Sequence, residues 1–193
     1  MHEQIKFFVP FFWLMAIAAL YEVVATMMLH INSTIWFRFY LLFEFTALFY
    51  FFYNVLDKDD RKWMYLFSFA FSCGFAVLMF QWESTNHYAY DSYLSVIETL
   101  FVYTGIFLWL RNMFLTLHVQ SLWHNPIFYF LCGLTLYFSG TIFLFLCSDY
   151  LANLDENLLI QYWTLNVFFS FVLRTFIIIG LWKRQKTSIR YSG

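Results

Sequence analysis

Apolar residues in this chain come in long, nearly unbroken runs rather than in the alternating or one-faced patterns of half-buried elements. Six runs, 7–29, 36–56, 63–82, 92–110, 126–147 and 158–182, each approach the ~20 residues a helix needs to cross a hydrocarbon core. Backbone groups in lipid must be satisfied inside the segment or in a closed barrel. Barrel strands alternate polar and apolar positions, and these runs do not. The pattern predicts an all-α polytopic membrane protein, with one six-helix transmembrane domain over 1–193 and connections too short to hold a second domain. The Ala16-Ile17-Ala18 stretch resembles a signal-peptide cleavage site, but the apolar run continues well past it. The expectation is therefore an uncleaved first helix.

Composition sharpens this and removes other classes. Of 193 residues 62% are apolar, 26% aromatic and only 12% charged, against about a quarter charged in soluble domains. Disorder is excluded by the hydrophobicity. Nucleic-acid binding is not expected, because the net charge is −1 and basic residues cluster only in the last eleven positions. Cys73, Cys132 and Cys147 sit in apolar runs without metal-site or redox spacing, which reads as packing.

The loop charges orient the helices. With both termini cytoplasmic, the inner side holds Lys6, Lys58, Arg61, Lys62, Arg111, Lys183, Arg184, Lys186 and Arg190, and the outer side holds Arg38 alone. Trp36, Trp63, Trp82 and Trp182 fall at the expected interfaces. Pro10 and Pro126 fall in first helical turns. Ala70 with Gly74, and Thr135, Ser139 and Gly140, are the expected small-residue contact faces. Leu115, Val119, Leu122 and Trp123 share a helical face, either on a surface helix or on a continuation of the fourth span.

Ionisable residues at membrane depth are expensive and mark function by default. Four occur: Glu22, Glu44, Glu98 and Arg174. Counted at about 1.5 Å per residue, the three carboxyls share the outer half of the bilayer, and Arg174 lies roughly 24 Å from the outside. Neighbours at helical spacing form stripes: Glu22, Thr26 and His30; His87, Asp91, Ser95 and Glu98; Tyr162, Asn166, Ser170 and Arg174. Three readings stay open. They are a structural charge network, an outward-facing polar cavity on Glu22, Glu44, Glu98, Asn166 and Arg174, and an ion or proton path. A Glu98–Arg174 pair would support the cavity; snorkelling of Arg174 to the inner interface is its rival. His30, His87 and Asp91 near the outer rim are metal-ligand candidates, with His87 and Asp91 at i, i+4. Hydrolase, metalloprotease, nucleotide-binding and dinucleotide motifs are absent, so neither enzyme activity nor a cofactor is expected.

Three stretches, LLFEFTALFYFFYNVL (41–56), FYFLCGLTLYFSGTIFLFL (128–146) and LNVFFSFVLRTFIIIGLW (165–182), resemble a group of small uncharacterised bacterial membrane proteins with six or seven helices. Some of these look like stand-alone sensory modules associated with histidine kinases. The resemblance implies a multi-pass protein of a bacterial inner membrane, in contact with lipid and with a protein partner, and a role in sensing or relaying a signal. The alternatives are a non-catalytic accessory subunit of a larger membrane complex and a small cation or proton transporter. The orientation has a direct check. On a Cys-free background, an impermeant thiol reagent should label a Cys placed at Asn153 from outside and leave one at Lys186 unlabelled. The reverse pattern inverts the topology.

Overall fold

The computed structural model describes residues 4–29, 34–80, 87–115, 125–154 and 156–191. The described residues form six α-helices: α1 (Val9–Tyr21), α2 (Thr34–Val55), α3 (Arg61–Phe80), α4 (His87–Leu115), α5 (Pro126–Leu154) and α6 (Glu156–Tyr191). A 3-10 turn, Gln4–Phe8, precedes α1, and a π-helical stretch, Glu22–Met28, continues it. The all-α expectation holds, and the helices outlast several of the apolar runs. α4 begins at His87, a turn ahead of its apolar core, and α6 runs for 36 residues, about 54 Å at the helical rise. Leu115 ends α4 exposed, whereas residues 116–124, which carry the rest of the expected amphipathic face, lie outside the described residues.

Contacts divide the chain into two compact units, Met1–Phe80 and Gln81–Gly193. The first has an aromatic core, because Phe recurs three and four residues apart on facing helices. Phe8 stacks on Phe51 with ring centroids 3.8 Å apart, and Phe45 on Phe71 at 3.9 Å. Phe11, Leu48, Phe52 and Met64 are fully buried among them. The turn into α3 is closed by Asp60 N–H donating to Asp57 O and Trp63 N–H to Asp60 O. Arg61 then lies 4.3 Å over the Tyr53 ring, where cation–π attraction ties the end of α2 to the start of α3.

In the second unit α4, α5 and α6 pack in sequence. Ser92 Oγ donates to Phe145 O at 2.7 Å and Tyr103 Oη to Thr135 O at 3.5 Å, which fixes an antiparallel α4–α5 register. α5 starts on a cap: Pro126 occupies the first turn, and Asn125 Oδ1 accepts from Ile127 N–H at 3.0 Å. α5 and α6 approach closely at glycines. A Cβ on Gly133 would meet Phe176 Cβ at 2.9 Å, and one on Gly180 would meet Pro126 O at 3.1 Å. Small residues substitute for the hydrophobic drive that lipid does not provide between helices. The small-residue face therefore differs from expectation. Gly140 does lie against Phe169, but its partner two turns back is Gly133, while Thr135 is exposed. On α3 Ala70 is exposed and Gly74 half-buried.

Among the described residues five segments, Lys6–Val24, Arg61–Phe80, Ser92–Leu115, Pro126–Cys147 and Thr164–Lys183, are long and apolar enough to cross a bilayer. By helix length and hydropathy the chain is a multi-pass membrane protein. α2 has the length, at 22 residues, but Arg38, Glu44, Asn54 and three tyrosines dilute its apolar character, and it stands outside that set of five.

The glycine packing makes an ordered prediction. Gly133→Ala drives a Cβ against Phe176 Cβ, which cannot move without its backbone, and should cost about 1–3 kcal/mol, as overpacking does. Gly140→Ala meets only the far end of the Phe169 ring, which can swing aside, and should cost less. Thermal unfolding in detergent gives the order, and a larger loss at Gly140 would contradict this packing.

Candidate functional site

The buried polar groups at membrane depth fall on both units, and each is described within its own. In the first unit Glu44 lies in mid-α2 with 4% of its surface exposed. The Tyr40 side chain, one turn earlier, hydrogen-bonds its carboxyl group, and Oε1 is buried with no hydrogen-bond partner. Arg38, expected as the single outer cation, is itself buried in the second turn of α2. Glu22 is half-buried and opens the π-helical stretch. The geometry there is confirmed by Leu29 N–H donating to Val24 O, five residues back, at 3.1 Å. The expected Glu22–Thr26–His30 stripe begins on this stretch. The side chains of Thr26 and His30 lie outside the described set.

In the second unit Glu98 is 1% exposed on α4, with Ser95 and Thr99 buried beside it. Thr99 Oγ1 donates to Ser95 O at 2.7 Å, so that hydroxyl is turned to its own helix. Asn166 is half-buried on α6, and its Oδ1 is shut from solvent with no hydrogen-bond partner. Arg174 is exposed. Among the described residues no ion pair joins it to Glu98, which corrects the expected pair. α6 turns Leu173, fully buried, toward α5. Arg174, the next residue, is therefore rotated about 100° away from that face, and the snorkelling alternative fits its exposure. The side chains of His87, Asp91 and Tyr162 lie outside the described set. No group of three or more His, Cys, Asp and Glu that could hold a metal occurs among the described residues. Cys73, Cys132 and Cys147 carry free thiols.

Two polar features escaped the sequence reading. The first is the buried edge of α4, where Ser92, Ser95 and Thr99 line up with Tyr103 at i, i+3, i+7 and i+11 and reach α5 carbonyls through Ser92 and Tyr103. Its signal was the spacing of hydroxyl residues, which the charged stripe through His87 and Asp91 overshadowed. The second is the Lys183 ammonium, which lies 4.6 Å from the Tyr129 ring centroid and donates to its hydroxyl. No spacing rule joins residues so far apart in sequence.

No known protein family, curated protein or solved structure matches this chain.

Glu44 and Glu98 are thus protonatable groups enclosed by packed helices. The independence of Glu98 and Arg174 is measurable. In a double-mutant cycle, the unfolding losses of Glu98→Gln and Arg174→Ala should add within about 0.5 kcal/mol. Rescue of Arg174→Ala by Glu98→Gln would restore the pair.

Proposed function

We propose that this chain is an integral membrane sensory or signal-relay module of a bacterial inner membrane, passing a change in helix packing to a protein partner. A histidine kinase is the partner that the resemblance of 41–56, 128–146 and 165–182 points to. The observation that carries the reading is the enclosure of Glu44 and Glu98, at 4% and 1% exposure, in helices of a membrane protein. Breaking the compensation of a buried charge is worth about 3–5 kcal/mol. Moving a two-state equilibrium from 1:99 to 99:1 takes about 5.5 kcal/mol. A ligand, proton or cation that changes the charge of one such carboxyl therefore has most of the leverage a packing switch needs.

The same carboxyls also favour a small cation or proton transporter. Exposed aromatics such as Phe69, Phe80, Phe107 and Phe143 favour an accessory subunit, as contact surface for other membrane subunits. Purification of the tagged chain in mild detergent, with identification of what accompanies it, separates the three. The sensory reading expects a kinase, whose autophosphorylation shifts several-fold with Glu44→Gln or Glu98→Gln while insertion is unchanged. A stoichiometric set of respiratory or export subunits would make the chain an accessory subunit. Cation or proton flux in liposomes, lost in the same variants, would make it a transporter.

A further inference from the structure

The second unit is polarised in charge along its length. Continuing the Tyr103–Thr135 register brings Arg111 level with Ile127, at the start of α5. Gly180 of α6 packs against Pro126 at the same level, and Lys183 reaches Tyr129 just beyond it. This end therefore gathers Arg111, Lys183, Arg184, Lys186 and Arg190. The chain has no acidic residue between Glu98 and Asp149, and none after Glu156. Asp91, Asp149 and Glu156 fall at the opposite end of the same three helices by the same register.

The bilayer boundary at the basic end is marked by side chains. Trp182 is 57% exposed, as an interfacial indole would be, and Lys183 bends back onto the Tyr129 ring and hydroxyl. The helix does not stop there but continues to Tyr191. By helical rise Arg184, Lys186 and Arg190 stand roughly 1.5, 4.5 and 10.5 Å past Lys183. The headgroup layer on each side of the hydrocarbon core is about 5–7 Å thick. By backbone position Arg184 and Lys186 thus fall within the phosphate layer, and Arg190 about 4 Å beyond it, a distance an arginine side chain can span.

We propose that this basic end is a binding surface for anionic phospholipid headgroups of the adjoining leaflet, with Arg184, Lys186 and Arg190 as the phosphate-binding residues and Arg111 supporting them from α4. The surface does not depend on the sensory reading. Juxtamembrane clusters of this size attract anionic lipid through each cation near the surface, and the absence of local carboxylates leaves that attraction unopposed within the unit.

The test uses the full chain in mild detergent with an equimolar mixture of phosphatidylglycerol and phosphatidylcholine of matched acyl chains, bound lipid being counted by native mass spectrometry. The wild-type chain should retain phosphatidylglycerol preferentially. Joint substitution Arg184→Gln, Lys186→Gln and Arg190→Gln should cut that preference by about tenfold or more, and Arg184→Lys with Arg190→Lys should keep it. Equal retention of both lipids by the wild type, or an unchanged preference in the triple variant, overturns the proposal. Should the triple variant fail to insert, the wild type alone decides. Its preference should collapse between about 50 and about 500 mM salt as the charges are screened, and a salt-insensitive preference overturns the proposal. Equal lipid retention together with an acidic protein held by the wild type assigns the surface to that protein instead.

Discussion

Every polar side chain placed inside a bilayer must find its hydrogen bonds within the protein, and this constraint orders the structure. Among the described residues, six hydroxyl and amide side chains meet it locally. Thr46, Asn54, Thr99, Thr135, Thr141 and Thr175 each donate to the carbonyl four residues back on their own helix. Such bonds need no partner helix, so these residues are tolerated on lipid-facing and packed faces alike, and Thr135 is exposed while Thr141 is 3% exposed. An ionised carboxylate has no proton to give a carbonyl. Glu44 and Glu98 therefore depend on tertiary packing in a way the threonines do not. Their enclosure singles them out.

The sequence revealed the fold class because the relevant signal is one-dimensional. A run of about 20 apolar residues forces a helix whatever its neighbours do. It revealed α2 as a helix too, expected over 36–56 and found over Thr34–Val55, although its apolar character falls short of the other spans. Arg38 and Glu44 break the apolar run of a helix that nevertheless forms over Thr34–Val55, its core face held by Phe45, Leu48, Phe51 and Phe52. The site was legible as a set of unusual residues and not as an arrangement. Glu98 could be expected to be buried from its depth alone. The exposure of Arg174 could not, because it follows from which α6 residue faces α5, and Gly133, Gly140 and Gly180 decide that. The π-helical stretch at Glu22 was equally hidden, for a change from four- to five-residue hydrogen bonding leaves no compositional mark in EVVATMM.

The two units differ in how their packing can respond. In the second, the α5–α6 contact is built on missing side chains, since Gly133 stands against Phe176 Cβ and Gly180 against the Pro126 carbonyl. A sliding or rotated arrangement would bring bulky neighbours such as Leu134 or Leu181 into those places. Close-packed interfaces of this kind hold one register rather than a continuum. In the first, the helix path beyond Tyr21 is carried by π-type bonding, and Tyr21 stacks on Trp36 at 4.4 Å just ahead of it and across to α2. π segments lie one hydrogen-bond step from regular α-helix and recur at functional sites.

That difference bears on where a change of charge would act. Glu44 shares α2 with the Phe45–Phe71 and Phe8–Phe51 stacks. A shift of α2 along its axis would therefore be felt by both neighbouring helices of the first unit. Aromatic stacks tolerate such sliding better than a glycine contact does, because offset geometries differ little in energy. Glu98, by contrast, is enclosed on α4, a helix that Ser92 and Tyr103 tie to α5 carbonyls. A charge change there works against fixed hydrogen bonds. Of the two enclosed carboxyls, Glu44 has the softer surroundings, with a free oxygen on the carboxyl and a π-helical stretch in the same unit. In a relay through helix packing, the larger displacement follows from the softer site.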